Sequence, residues 1–408
     1  MSAPGGHSRE RVMLKGYLRA DGRKGVRNLV VVAYLVECAH HVAREIAAPF
    51  RERGVHLIGF PGCYPNAYAL TMLERLCTHP NVGAALLVSL GCEGFDKRRL
   101  ARAIEDSGRP VLTVGIQDAG GTKRGVAAGR DWIERTLPDV AGQLPVPMDI
   151  DELTVGTICG GSDATSGLTA NPAMGVAFDL LVAEGAKAIF EETGELIGME
   201  HLMAARAANP ALGDELKRSV AKAATYYATL GYASFAPGNA DGGLTTIEEK
   251  SLGAYAKSGQ SAIAGIVKPG IAPPRKGLYL LDVVPDGEVR FGFPNINDNA
   301  EIAELIACGS QVILFSTGRG SVVGSAIAPV IKVCANPDTY KRMADDMDVD
   351  AGRILEGRAT LPEVGREIYD LIRRVGNGER TRSESLGHQE FILTYKSFEP
   401  LGPACLPA

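Results

Sequence analysis

The first part of the chain alternates between short apolar runs and longer stretches with apolar residues at helical spacing. From residue 29 to residue 116 the apolar runs are LVVVAYLV, VHLIGF, AALLVSL and PVLTVGI. Helical patterns cover about 67–77, 95–107 and 123–136. Because strands that alternate with helices usually pair in parallel, this pattern predicts a parallel sheet with helices on both faces.

The same alternation resumes further along the chain, with the apolar runs LTVGTI, AKAIF, GLYLLDV and QVILFS. Between the two parts, residues 138–152 hold three prolines and lack periodicity, which is typical of a linker. We therefore predict an α/β protein of two Rossmann-like domains, with mainly parallel sheets flanked by helices. The expected divisions are a flexible tail at 1–15, an N-terminal α/β domain at 16–147 and a C-terminal α/β catalytic domain at 148–408.

Composition places this chain among ordinary globular proteins. Its 408 residues exceed one typical core, and it is 45% hydrophobic and 22% charged. A net charge of −5 gives no electrostatic case for nucleic-acid binding. No apolar span of membrane length and no signal peptide are visible. Eight cysteines are too few for a disulfide scaffold. We expect a cytoplasmic protein that binds neither nucleic acid nor membrane.

Reactive side chains follow several of the predicted strands. Cys63 and Cys92 each touch a glycine after a strand of the first domain, and Cys159 ends a strand of the second. The next strand ends in Glu191. Ligands bind at the carboxyl ends of parallel strands, so we expect the three thiols to lie together at that edge. The alternative is that the cysteines are structural and the glutamate caps the next helix.

Such a set suits a divalent metal, because thiolates favour iron or zinc and carboxylates favour iron, manganese or magnesium. Three converging thiols are also compatible with an iron–sulfur centre. The predicted metal ligands are Cys63, Cys92, Cys159 and Glu191.

Polar candidates for binding a substrate are concentrated in four segments. Residues 16–28 carry several cations that suit an anion clamp, although a solvated turn is the alternative. Residues 160–171 follow the strand that ends in Cys159, residues 235–253 form a polar loop, and 318–324 form a glycine-rich turn. The candidates are Arg19, Arg23, Arg27, Asn28, Ser162, Asp163, Thr169, Asn171, Asn239, Thr245, Thr246 and Arg319. We expect the arginines and the polar loop to face each other across a cleft between the domains.

Common alternatives to this chemistry lack their motifs. The GRGSVVG segment has the wrong spacing for a dinucleotide fingerprint, and no phosphate-binding GxxxxGK[ST] loop is present. No GxSxG elbow points to a serine hydrolase, and no CxxC pair points to a zinc finger. What remains is a polar, carboxylate-rich and cysteine-bearing site for a hydroxylated anionic substrate.

Long blocks of the sequence resemble the altronate/galactarate dehydratase family. They are CGGSD, SGLTANPAMG, EETGELIGMEHL, APGNADGGLTTIEEKSLGAYAKSG and FSTGRGS, together with GYLRADGRKGVRN and LGCEG. The resemblance is to the large catalytic region and covers nearly the whole chain. It implies a hydro-lyase that uses Fe(II) to convert a sugar acid, or a related hydroxy acid, into a 2-keto-3-deoxy acid. Manganese or magnesium is an alternative to the iron.

Dehydration of a sugar acid requires a base for the proton next to the carboxylate and an acid for the departing hydroxyl. Lys250 and His201 are the candidate base and acid, and Glu192 is a third candidate catalytic residue. The carboxylates that flank Lys250 would raise its pKa and oppose its action as a base. The alternative for His201 is an ordinary histidine on a helix surface.

Two departures from the family bear on substrate and assembly. Many members carry a histidine just before the second strand-end Gly-Cys, where this chain has Phe60-Pro61-Gly62-Cys63. Full-length members also carry a small domain ahead of the catalytic region, so we expect a separate subunit of about 100 residues, the size of a small domain, and an oligomer. Related sulfolactate sulfo-lyases divide in this way, so elimination of sulfite is an alternative reaction. A non-catalytic protein that binds sugar acids is a third possibility.

Overall fold

The computed structural model of the chain describes residues 13–230, 234–287 and 297–396. In its first part the strands are β1 (Met13–Leu18), β2 (Lys24–Gly25), β3 (Leu29–Tyr34), β4 (Val55–Gly59), β5 (Val82–Ser89), β6 (Val111–Gly115) and β7 (Val146–Asp149). The helices are α1 (Glu37–Ala47), α2 (Ala67–Cys77), α3 (Lys97–Asp106), α4 (Ile116–Ala119) and α5 (Thr122–Gly142).

The first parallel sheet has the strand order β4-β3-β5-β6. Val30 of β3 lies opposite Val55 of β4, and Val88 of β5 lies opposite Val114 of β6. All eight residues of β5 are buried, as expected for a central strand covered by helices on both faces.

A small antiparallel sheet corrects two predictions from the sequence. β1 pairs with both β2 and β7, and Met13 lies opposite Asp149. Residues 13–15 therefore belong to a strand and not to a flexible tail, while residues 1–12 lie outside the described part. The segment 138–152, predicted as a linker without periodicity, instead carries regular structure, because α5 continues through Pro138 to Gly142 and β7 follows. Strand pairing and tertiary packing together give this proline-rich segment its regular structure.

In the second part the strands are β8 (Thr154–Cys159), β9 (Lys187–Glu191), β10 (Ile263–Val267), β11 (Gly277–Leu281), β12 (Val312–Thr317), β13 (Val330–Cys334) and β14 (Val349–Asp350). The helices are α6 (Ala170–Ala183), α7 (Glu200–Ala205), α8 (Pro210–Leu230), α9 (Pro237–Asp241), α10 (Ile247–Ala256), α11 (Asp298–Ala307), α12 (Pro337–Arg342), α13 (Leu361–Gly376) and α14 (Arg382–Leu386). Short 3₁₀ turns occupy Ala48–Arg53, Ile150–Glu152, Thr193–Glu195 and Gly352–Ile354.

The second sheet has seven parallel strands in the order β10-β11-β9-β8-β12-β13-β14. β8 lies in the centre, between β9 and β12, so the ends of these three strands are adjacent. The predicted α/β fold with parallel sheets flanked by helices is confirmed.

The two sheets share one continuous core. Leu35 and Ile58 from the first sheet region belong to the same buried cluster as Ile158, Ile189 and Phe315 from the second. No helix within the described ranges is long and apolar enough to cross a membrane.

The segment 391–396 forms hydrogen bonds and an ion pair that connect the first part of the chain with the second. The Lys396 ammonium lies 2.8 Å from both carboxylate oxygens of Glu304, and the Tyr68 hydroxyl donates to Glu304 at 2.6 Å. Tyr395 donates its hydroxyl to the carbonyl oxygen of Tyr64 at 2.7 Å. This segment therefore holds the loop after β4 against α11.

Candidate active site

The end of the central strand β8 places a thiol beside two carboxylates. Cys159 Sγ lies 3.1 Å from Ser162 Oγ, and its thiol donates to Glu195 at 3.2 Å and to Glu192 at 3.6 Å. Glu192 and Glu195 follow β9, the neighbouring strand, through a 3₁₀ turn. Adjacent parallel strands thus deliver these three groups to one point of the sheet edge.

Two lysines of the α10 segment neutralise these carboxylates. Lys250 Nζ lies 2.5 Å from a Glu195 oxygen and donates to the Ser234 carbonyl at 2.7 Å. Lys257, completely buried, forms an ion pair with Glu192, whose side chain is 1% exposed. The two lysines are seven residues apart, about two helical turns, which places them on the same face.

Burial and these charges set the protonation of the site. Burial raises the pKa of the Cys159 thiol to about 11, and the Glu195 charge adds to the effect. Burial lowers the pKa of Lys250, but Glu195 and Cys159 outweigh it, so the net shift is upward. For Lys257, burial dominates and lowers the pKa. Lys250 is therefore an ammonium at neutral pH.

Asp298, the first residue of α11, adds a carboxyl group whose pKa is raised. Burial and the Glu195 charge raise the pKa of Asp298 to about 6, although Lys250 opposes the shift. One carboxylate oxygen of Asp298 packs against Gly160, where any side chain would displace it. The glycine after Cys159 therefore makes room for this carboxylate.

These groups line a cavity of about 1010 Å³ at the carboxyl edge of the second sheet. Cys159, Glu195, Lys250 and Asp298 all contribute to its wall. Three of the predicted substrate-binding residues do so as well, namely Ser162, Asn239 and Arg319. Arg319 donates to the Gly238 carbonyl at 2.7 Å. A small acid with hydroxyl groups would find cations, carboxylates and hydroxyl partners here.

Cys159, Glu192 and Glu195 are the only set of three potential metal ligands found close together in the described ranges, all within 4.8 Å of one another. Each carboxylate is already paired with a lysine. Binding an ion would break both pairs and remove a proton from a thiol whose pKa is raised. The residues here therefore fit a metal ion poorly.

The other predicted metal ligands lie elsewhere. Glu191 accepts a hydrogen bond from the Thr193 amide at 3.2 Å and interacts with Lys396 and Glu304. Burial raises the pKa of Glu191 to about 8. Cys63 and Cys92 are exposed at the edge of the first sheet. The predicted ligands Cys63, Cys92, Cys159 and Glu191 do not form a set of ligand atoms within 4.8 Å of one another in the described ranges, and Glu191 interacts with Lys396 and Glu304 instead.

The predicted arginine clamp is also wrong, because these side chains have structural partners. Arg19 is buried and donates to the Pro80 carbonyl at 2.7 Å and to Asn28 at 2.8 Å. Arg27 forms a two-point ion pair with Glu384 at 2.7 and 2.9 Å. All three arginines precede β3, at the amino ends of the first sheet, and none lines the cavity described above.

Arg23 binds Asp21 and the Thr78 carbonyl, at 2.6 and 2.8 Å. Asn28 donates to the Val140 carbonyl at 2.6 Å. These two residues likewise stabilise the loop ahead of β3. The sequence could not reveal the Thr78 and Val140 carbonyls as partners because both are distant along the chain.

Several other predicted site residues organise the loops around the cavity without lining it. Asp163 accepts hydrogen bonds from the Thr165 amide at 2.9 Å and from Asn336 at 3.0 Å. Thr169 donates to the Ala335 carbonyl at 2.9 Å. Asn171 accepts from Ser316 at 2.7 Å.

The helix α10 that carries Lys250 begins with a cap. Thr246 accepts from the Glu249 amide at 3.2 Å, and the Thr245 hydroxyl donates to the Glu249 carboxylate at 2.6 Å. Thr246 is therefore the N-cap of α10, and Thr245 and Thr246, which were predicted to bind substrate, are both exposed. His201 is exposed on α7 and is not part of the cavity wall, which corrects its assignment as the acid.

Sequence reasoning overlooked Glu195, Lys257 and Asp298. Lys257 had a usable signal, because it repeats the position of Lys250 two helical turns later. No sequence signal pointed to Asp298, since α11 reaches the carboxyl edge of the second sheet only through tertiary packing.

Comparisons with known proteins agree with this architecture. A family described as D-galactarate/Altronate dehydratase, C-terminal matches residues 150–398. A second, described as D-galactarate dehydratase/Altronate hydrolase, second domain, matches residues 16–141.

Three relatives are similar over most of the chain. The (2R)-sulfolactate sulfo-lyase subunit beta of Chromohalobacter salexigens is 34% identical, over 93% of this chain and 96% of that protein. The galactarate dehydratase (L-threo-forming) of Escherichia coli is 33% identical, over 90% of this chain and 73% of that protein. The altronate dehydratase of Escherichia coli is 29% identical, over 92% and 76% respectively. Since these relatives are all lyases and the family matches span both sheets, the chain is a lyase and belongs to the altronate/galactarate dehydratase family.

Proposed function

We propose that the chain is the large catalytic subunit of a hydro-lyase that dehydrates a sugar acid or a related hydroxy acid. The observation that carries this proposal is the presence of an ammonium, Lys250, and a carboxyl group with a pKa of about 6, Asp298, in the wall of one cavity. Hydroxide is a poor leaving group, so dehydration needs an acid as well as a base.

The protonation states favour a reversal of the roles expected from the sequence. Asp298 is largely ionised at neutral pH and suits the base that removes the proton next to the substrate carboxylate. Lys250 is protonated and suits the acid that gives a proton to the departing hydroxyl, which leaves as water. The resulting enol then becomes the 2-keto-3-deoxy acid.

Arg319 is the proposed partner of the substrate carboxylate. Arg319 lines the cavity, and the planar fork of an arginine can bind a carboxylate at two points. Ser162 and Asn239 line the same cavity and are the proposed partners of the substrate hydroxyls. A carboxylate held by Arg319 would also stabilise the negative charge that develops when the neighbouring proton leaves.

Elimination of sulfite from a sulfonated hydroxy acid is the second candidate function. It is favoured by one observation: the matched region extends over 96% of the sulfo-lyase subunit but only 73% and 76% of the two dehydratases named above. Sulfite needs no proton to depart, so the two candidates differ in their need for Lys250.

The test is an assay of protein purified without oxygen, with altronate, galactarate and sulfolactate as separate substrates. Formation of a 2-keto-3-deoxy acid supports dehydration, and release of sulfite supports the second candidate. If neither product forms with the assembled enzyme, and the acids still bind in calorimetry, the chain is a binding protein and the proposal fails.

We also propose a separate small subunit of about 100 residues, the size of a small domain. The support is the designation of one relative as a subunit beta. Co-expression with small proteins encoded beside this chain, followed by size-exclusion chromatography, tests this. A stable complex with higher activity than the isolated chain is expected, whereas full activity of the isolated chain as a monomer would contradict it.

A further inference from the structure

Three of the cysteines stand apart from the others by their exposure. Among the described cysteines, Cys77, Cys159, Cys308 and Cys334 are buried, whereas Cys38, Cys63 and Cys92 are exposed. Cysteine is among the most frequently buried residue types, so three exposed thiols require a reason.

The three exposed thiols follow three neighbouring strands of the first sheet. Cys38 comes four residues after the end of β3, Cys63 four residues after β4, and Cys92 three residues after β5. β3 lies between β4 and β5, and all three strands are parallel. The three cysteines therefore stand at one edge of one sheet.

Direct hydrogen bonds hold the three loops together. The Glu37 amide, next to Cys38, donates to the Pro61 carbonyl at 3.0 Å, and the Gly94 amide donates to the Cys63 carbonyl at 2.8 Å. The turn at Cys92 is fixed by Glu93, whose carboxylate accepts the Gly91 amide at 2.8 Å. Gly91 has a φ of 128°, which an ordinary side chain would strain. The backbone is therefore built to present these loops side by side.

Three helix amino termini and an apolar layer surround the exposed thiols. Each loop leads into a helix of ten or eleven residues, α1, α2 or α3, whose amino terminus carries partial positive charge. Asn66 and Asp96 cap α2 and α3, but α1 has no side-chain cap. Below the loops, Phe60 packs against Phe95 and Tyr395, with ring centres 6.1 and 5.2 Å away, which gives the edge an apolar floor.

We propose that Cys38, Cys63 and Cys92 bind an iron–sulfur cluster of the [4Fe–4S] type, with one iron free of protein thiolate. The three sulfur atoms do not all lie within 4.8 Å of one another, so they are too far apart to bind one metal ion together. A cubane cluster holds its thiolates at separate corners, farther apart than the ligands of one ion. A structural zinc site would instead have four ligands and close spacing along the chain.

This assignment differs from the ligand set expected from the sequence, because Cys38 replaces Cys159 and Glu191 is no longer a ligand. It leaves Cys159, Glu192 and Glu195, where a metal ion fits poorly, free of metal. The cluster site does not depend on the identity of the substrate, so it can be tested without an activity assay.

The experiment reconstitutes the full-length chain anaerobically with ferrous iron and sulfide, and measures iron, acid-labile sulfide and visible absorption. The wild-type chain is expected to hold about four iron and four sulfide atoms. The variants Cys38→Ser, Cys63→Ser and Cys92→Ser should each lose most of both. Cys159→Ser and Cys308→Ser are the matched controls and should keep them.

Iron that persists in all three variants, or that is lost only in Cys159→Ser, would overturn the proposal. So would a bound metal without sulfide. Because a variant can fail to fold, the wild-type chain is also alkylated before and after the cluster is removed by oxidation and chelation. Mass spectrometry should find Cys38, Cys63 and Cys92 protected only in the loaded protein. Equal labelling in both states would contradict the site.

Discussion

The ammonium of Lys250 lies 2.5 Å from a carboxylate oxygen of Glu195 at the wall of the cavity. This contact keeps Lys250 protonated and so separates its role from that of Asp298, whose pKa is raised to about 6. An acid and a base with different proton affinities therefore face the same space, which is the arrangement that a β-elimination requires.

Replacing Lys250 by arginine tests proton donation directly. Arginine keeps the positive charge beside Glu195 but does not release its proton at working pH, so kcat for dehydration should fall by about 100-fold or more. Sulfite elimination should fall much less. Lys276→Arg, in an exposed ion pair with Asp151, is the control and should leave kcat unchanged. Full dehydratase activity in Lys250→Arg would rule out the lysine as the acid.

Asp298 should control the acid limb of the pH profile. A base must be ionised to accept a proton, so kcat/KM should rise as the pH increases through about 6. Asp298→Asn should remove this limb and lower kcat by about 100-fold. The measurement is kcat/KM across the pH range, with the exposed Asp214→Asn as control. An unchanged limb in Asp298→Asn would assign the titration to another group.

The buried pair of Lys257 and Glu192 should be sensitive to removal of one partner. Lys257→Met leaves the buried carboxylate of Glu192 without its counter-charge, which should lower the free energy of unfolding by about 3–5 kcal/mol. The double variant Lys257→Met/Glu192→Gln should recover much of the lost free energy of unfolding. Urea denaturation measures both. Lys217→Met, in an exposed pair with Asp214, should change stability by less than about 1 kcal/mol.

Arg27 should matter for stability and not for substrate affinity. Arg27→Lys loses the two-point contact with Glu384, so the free energy of unfolding should fall by about 1–3 kcal/mol. The apparent substrate KM should stay the same, because Arg27 does not line the cavity. The comparison is Arg319→Lys, for which KM should rise. A raised KM in Arg27→Lys with normal stability would instead support the anion clamp that was predicted from the sequence.

The sequence was sufficient for the elements whose signal is local. The runs that became β3, β5, β8 and β12 are apolar because central parallel strands are buried on both faces, so their existence and the α/β class were predictable. The cap at Thr246 was predictable for a similar reason, since a helix start depends on residues within one turn. Long family blocks identified the chemistry of the chain as that of a lyase.

Tertiary structure alone decided which of these residues meet. Cys63 and Cys159 both follow strands and touch glycine, yet they belong to different sheets, and strand order is set by packing between distant segments. The arginines of residues 19–27 looked free in the sequence, but Glu384 and the Pro80 carbonyl bind them from far along the chain. Asp298 enters the cavity because α11 packs beside β8 and Gly160 leaves space for it. The shifted pKa values were likewise decided by the tertiary structure, because burial and neighbouring charges exist only in the folded chain.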